Sequence, residues 1–233
     1  MALRERPSPN HGPRAGGVDM LVLHYTGMPS AAAALERLCS AEARVSAHYL
    51  IEEDGTLWRL VPEERRAWHA GRSWWRGRAD VNDVSIGIEL VNPGHEFGYR
   101  AFPEAQMAAL EELCRGILAR HTIPARNVVG HSDVAPLRKQ DPGELFDWPR
   151  LARAGIGLWP EPTGGPTPPE DAARMQRLLA AIGYRVPQSG ALDAETRVVV
   201  AAFQRHFRPA RCDGISDAAT RQRIAAVASL CGV

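Results

Sequence analysis

The chain has 233 residues, 45% of them hydrophobic and 24% charged, and its 28 basic side chains balance 27 acidic ones to a net charge of +1. That is apolar material for a main domain with a smaller companion. So even a balance excludes bulk attraction of nucleic acid or another polyanion, and no run approaches the ~20 apolar residues of a membrane span.

The first residues, "MALRERPSPNHGPRAGG", are polar and rich in Pro and Gly. They lack the apolar centre of about 7–15 residues that a secretory signal needs, which places the chain in the cytoplasm unless an export signal has been removed. Residues 1–17 read as an extension that wraps onto the main domain without chemistry of its own. "VDMLVLHYT" (18–26) reads as a buried strand ending in polar residues. "SAAAALERLCS" (30–40) follows as a helix with Ser30 at its N-cap and Ala31, Ala34, Leu35 and Leu38 on one face. Residues 47–62 read as a hairpin turning at Asp54-Gly55. "VSIGIELVN" (84–92) is a strand that carries one carboxylate, Glu89. Pro103 starts an amphipathic helix over 103–121, and "NVVGH" (127–131) is a short strand. Strands alternating with helices around one hairpin predict an α/β (α+β) fold, a mixed central sheet flanked by helices.

Near residue 160 the composition changes. "PEPTGGPTPPE" reads as a linker over 160–169. Beyond it, 170–233 holds three helical stretches, and "G-x-x-D-x-x-T" occurs at both 190–196 and 214–220. Each Gly ends a turn and each Asp caps a helix, giving a compact three-helix module with its own small core. The four cysteines, Cys39, Cys114, Cys212 and Cys231, have no paired spacing, so they read as free thiols and suit a reducing compartment.

The candidate chemistry gathers in 18–159. Glu89 lies in an apolar strand, where a charge is costly unless it is paired or faces a cavity; an outward position on an edge strand is the plainer alternative. His24 and His131 each end a strand, and Asp141 lies ten residues beyond His131 across a loop broken by Pro136. A hydrogen-bonded structural role is the plainer reading of either histidine alone. Together, two imidazoles and a carboxylate form a set suited to one Zn²⁺ ion with a fourth position for water. Glu89 could then move the proton, and Lys139 could hold the charge that develops on a carbonyl oxygen. Asp133 is a candidate to orient a ligand or to cap a turn. His48 reads as a structural hydrogen-bonder, and His11, His95, His121 and His206 read as surface residues. Trp74 and Trp75 are either a glycan platform or core plugs.

"VLHYT", "SAHYLIEEDGTLWRLV", "AWHAG", "NDVSIGIELVN" and "GHSDVAPLRKQDPG" follow one another as they do in the type-2 N-acetylmuramoyl-L-alanine amidases, which residues 18–150 resemble. The resemblance implies a mixed sheet with helices around an open zinc site, one Zn²⁺ per chain on His24, His131 and Asp141, and Glu89 and Lys139 as the catalytic pair. It also makes "AWHAG" a cleft wall, with Trp68 and His69 as substrate contacts. Residues 170–230 resemble a peptidoglycan-binding type-1 module. The implied reaction cuts the amide between (1,6-anhydro-)N-acetylmuramic acid and L-Ala of the stem peptide, in peptidoglycan turnover or recycling. The implied partners are muropeptides or peptidoglycan fragments. Asp80 stands where recycling-type members often carry an arginine, which relaxes the expected sugar preference. A receptor that binds muropeptide without cutting it is the rival from another class, and a hydrolase of a different peptidoglycan bond is a second.

Overall fold

Strand β3 (Met20–Tyr25) is apolar on both faces because both are covered, as befits an interior strand of the sheet. In a computed structural model, which describes residues 3–161 and 168–233, it lies between two parallel neighbours. Residues 162–167, most of the expected linker, lie outside the described residues.

In chain order the elements begin with β1 (Leu3–Glu5), β2 (His11–Pro13), β3, α1 (Ala31–Cys39), β4 (Tyr49–Ile51), β5 (Leu57–Arg59) and β6 (Arg65–Ala67). Next come α2 (Val81–Val84), β7 (Ser85–Leu90), α3 (Gly94–Phe97), α4 (Glu104–Arg120), β8 (Val128–Gly130), α5 (His131–Val134) and α6 (Trp148–Arg153). The C-terminal region supplies α7 (Ala172–Ile182), α8 (Ala194–Phe207) and α9 (Ala218–Leu230). The main sheet has the order β1-β5-β4-β7-β3-β8, parallel except for the β4–β5 hairpin, so the α/β expectation holds. Ser30 caps α1 as expected, its side chain accepting from the Ala33 amide.

Period-two alternation divides the sheet into two faces. Ile86, Ile88 and Leu90 of β7 join Leu21 and Leu23 of β3 in a core with Met107, Leu110 and Ile117 of α4. On the opposite face β7 presents Ser85, Gly87 and Glu89, small or polar, and β3 presents Met20, Val22 and His24.

Three expectations are corrected. First, residues 1–17 are not merely an extension, because β1 extends the main sheet beside β5 and β2 pairs with β6. The Arg14 guanidinium donates to the carbonyls of Glu63, Arg65, Asp83 and Ser85, tying β6 to the start of β7. Second, the C-terminal module does not keep a separate core. Met20, Val22, Val129 and Val134 belong to the same buried cluster as Met175, Leu179, Phe203 and Phe207. Trp75 is a core plug at this junction, its ring centroid 5.0 Å from that of Tyr184. Arg126 donates to the carbonyls of Ala181 and Ile182, satisfying the end of α7. Third, His206 is not on the surface: it is 3% exposed and stacked between Trp148 and Phe207.

The expected internal repeat has a physical basis. Asp193 and Asp217 cap α8 and α9 by accepting from the amides of Thr196 and Thr220. Gln176 and Gln204, both fully buried, repeat one pattern. Each accepts from the glycine of its turn (Gly190 or Gly214) and donates to the following threonine. Both glycines sit at φ +73°, a conformation other residues rarely adopt.

Candidate active site

The carboxyl ends of three parallel strands, β3, β7 and β8, open on one side of the sheet, the usual ligand position in such a layer. The register brings the chemistry together: His24 stands directly opposite Glu89, and Leu23 opposite Gly130, so His131 follows beside His24. Asp141 returns from the loop after α5, its carbonyl accepting from the Ser132 amide. The turn residues that crowd this loop are what fold it back.

His24 Nδ1, His131 Nδ1 and Asp141 Oδ2 lie 2.9–3.0 Å from one another. All three side chains are buried. His131 Nε2 faces the Ala70 carbonyl at 3.1 Å, so the neutral ring donates there and leaves Nδ1 bare. Burial, with His131 beside it, lowers the His24 imidazole to about 4; Asp141 pulls the other way. Bare nitrogen and carboxylate lone pairs turned on one another at this distance repel, and a cation between them removes the repulsion. Tetrahedral coordination at about 2.0–2.1 Å places ligand atoms about 3.3 Å apart. The trio fits one small divalent metal ion.

Glu89 lies on the cleft floor beside this trio, and its Oε2 is out of solvent with no hydrogen-bond partner among the described residues. Burial pushes its carboxyl well above the ordinary range, Asp141 adds to that, and Lys139 opposes it. Lys139 is half-buried on the same cleft. It is the one lysine among 28 basic side chains of the chain, a signal that composition alone could have shown. Elsewhere arginine is used throughout; only at this position does the chain present a compact ammonium.

The cleft encloses about 590 Å³. Arg37 and Leu38 of α1 line it together with Tyr25, His95 and Phe97. Trp68 is half-buried on this cleft, and His69, which also lines it, is buried with its ring against His24. His69 Nδ1 is 3.0 Å from His24 Nε2, and its Nε2 is 3.1 Å from Ser85 Oγ. Both ring nitrogens are thus engaged within the protein. A Cβ on Gly87 would come within 2.6 Å of the His69 ring, so the strand has room for the imidazole only because that position is glycine. Ser85 and Gly87 were not singled out from the sequence. The signal for them was the alternation Ser85, Gly87, Glu89 along a strand whose other face is entirely apolar.

Asp133 does not touch the ligand trio through its carboxylate. Its Oδ2 accepts from the Gly130 amide at 2.8 Å and stands 2.7 Å from His206 Nδ1, while Oδ1 accepts from the Tyr184 hydroxyl at 2.5 Å. It caps the segment bearing His131 and joins that segment to the C-terminal helices.

Among the described residues, no helix is long and apolar enough to cross a membrane. Residues 168–224 match the peptidoglycan binding domain family. The N-acetylmuramoyl-L-alanine amidase AmiD of Escherichia coli is 41% identical over 226 residues, covering 88% of this chain and 80% of that protein. The 1,6-anhydro-N-acetylmuramyl-L-alanine amidase AmpD of Salmonella typhimurium is 46% identical over 118 residues, 51% of this chain and 60% of that protein. Among solved structures, the E. coli AmiD complex with anhydro-N-acetylmuramic acid-L-Ala-D-gamma-Glu-L-Lys matches with a TM-score of 0.82 and 39% identity, over 97% of this chain and 93% of that one. AmpDh3 of Pseudomonas aeruginosa bound to anhydromuramic pentapeptide gives 0.80 and 36%, over 95% and 94%. Residues 14–144 match the family described as N-acetylmuramoyl-L-alanine amidase, and the chain belongs to that family.

Proposed function

We propose that the protein is a zinc-dependent N-acetylmuramoyl-L-alanine amidase that cleaves the amide between (1,6-anhydro-)N-acetylmuramic acid and L-Ala of the stem peptide. The observation that carries the reading is the convergence of His24 Nδ1, His131 Nδ1 and Asp141 Oδ2 beside a buried Glu89 carboxylate oxygen that has no hydrogen-bond partner among the described residues. The likeness to two relatives solved with anhydromuramyl peptides supports the substrate class.

His24, His131 and Asp141 would hold the zinc. When bound there, the ion lowers the pKa of water to about 7 and polarises a carbonyl. Glu89 takes a proton from the attacking water and returns it to the leaving nitrogen of L-Ala. Its raised carboxyl pKa suits a group that must both accept and release that proton. The Lys139 ammonium holds the negative charge that grows on the carbonyl oxygen. Trp68 offers an aromatic face to sugar or peptide, and Arg37, which also lines the cleft, suits the carboxylates of a stem peptide.

Placement in the cytoplasm, on fragments recovered from the wall, belongs to the same proposal. Four free thiols, one of them the fully buried Cys114, support it. Mass spectrometry of a digest of anhydro-muropeptide tests the reaction. The expected products are the free anhydro sugar and a peptide beginning with L-Ala. Intact substrate at full zinc occupancy would mark a binding protein instead, and a cut elsewhere would mark a different hydrolase.

A further inference from the structure

The hydroxyl of Ser85 has one proton, and it lies 2.6 Å from the Val81 carbonyl, which can only accept. The proton therefore goes to Val81, and toward His69 the hydroxyl presents a lone pair. His69 Nε2, 3.1 Å away, must then carry the ring proton. In a neutral imidazole that leaves Nδ1 bare, and Nδ1 faces His24 Nε2 at 3.0 Å. His24 Nε2 is thus the donor, and its own bare nitrogen is Nδ1, the atom turned toward His131 and Asp141.

We propose that Ser85 and His69 are positioning residues. They fix His24 as the Nε2–H tautomer and so fix Nδ1 as the atom it offers to a metal. The inference rests on the reading of His24 as a metal ligand. An imidazole free to exchange tautomers offers the correct lone pair only part of the time, and its partners govern ligand orientation and basicity. His24 is 1% exposed, so bulk solvent does not reach its Nε2. The loop carrying His69 serves the second ligand as well. The amides of His69 and Ala70 both donate to Asn82 Oδ1, which holds the Ala70 carbonyl toward His131 Nε2. One short segment thus turns both imidazoles the same way. Glycine at 87 is part of the device, because any side chain there would occupy the space of the His69 ring.

The test uses the full chain. Two-bond ¹⁵N–¹H correlation spectra of the metal-free protein report each imidazole tautomer directly, and zinc affinity follows from competition with a chromophoric chelator. In the wild type, His24 and His69 are expected as Nε2–H tautomers before any metal is added. Ser85→Ala and His69→Leu should weaken zinc binding roughly 10–100-fold. His69→Asn keeps an acceptor toward His24 and should stay within about threefold of the wild type. A wild-type His24 protonated at Nδ1 would overturn the inference, as would a folded His69→Leu that binds zinc normally. Should His69→Leu fail to fold, the wild-type spectrum and Ser85→Ala decide. If the tautomers are as stated but the wild type binds no zinc, it is the amidase reading that falls and not the relay.

Discussion

His206 Nδ1, on α8, stands 2.7 Å from Asp133 Oδ2, two residues beyond the candidate metal ligand His131. A helix from the module that resembles a wall-binding domain thus reaches into the support of the catalytic centre. With Tyr184 on the other carboxylate oxygen, Asp133 is a buried charge whose partners come from both regions of the chain.

Removing residues 168–233 is therefore expected to destabilise the catalytic domain rather than leave it intact. It would uncover Trp75 and Val134 and strip Asp133 of two donors. Each large apolar side chain exposed costs about 1.5–3 kcal/mol. Tyr184→Phe isolates the polar part and should cost about 1–3 kcal/mol in denaturant unfolding. A truncated chain that melts with the wild type would show that the two regions are independent.

Glu89→Gln keeps the volume and removes the proton acceptor. Turnover is expected to fall roughly 10²–10⁴-fold with zinc content unchanged. Metal analysis and steady-state rates on one preparation check this, and near-normal rates would take Glu89 out of the reaction.

Lys139→Ala should lower kcat about 10²–10³-fold with little change in KM. Because Lys139 is the only lysine, an amine-selective reagent can reach just this side chain and the terminal amine. Substrate should protect it, and full labelling with full activity would contradict the assignment.

Glu63 links stability to pH away from the site. Burial raises its carboxyl, but hydrogen bonds from Arg120, Tyr49 and His121 outweigh burial and bring it down to about 2. A depressed folded value means the contribution is present above the ordinary carboxylate pKa of ~4.5 and is lost as pH falls from there toward 2. Glu63→Gln should cost about 1–2 kcal/mol at about pH 6, allowing for solvent screening, and much less near pH 3. Unfolding curves at the two pH values give the comparison, and an equal cost at both would refute the linkage.

The strands bearing the chemistry were legible because short apolar runs ending in polar residues have one straightforward interpretation; "VDMLVLHYT" becomes β3 and "VSIGIELVN" becomes β7. The grouping of His24, His131 and Asp141 was reachable from residue types, and family resemblance sharpened it. Strand β1 was not legible: "LRE" is three exposed residues, two of them charged, and pairing with β5 alone makes it a strand. Nor was the docking of the C-terminal helices, since Trp75, Tyr184 and His206 look in sequence like any core or surface residues. Trp68 and His69 both line the cleft, as their motif implies, whereas the packing of the His69 ring over Gly87 is a property of the folded sheet.

Zinc K-edge absorption on the reconstituted protein, with the Asp141→Ala variant alongside, tests the central claim most directly. The account predicts one tightly held ion per chain with two imidazole nitrogens and oxygen donors at about 2.0–2.1 Å, and a large loss of zinc from the variant under a mild chelator. An ion retained equally by both proteins, or a first shell lacking two imidazoles, would contradict it.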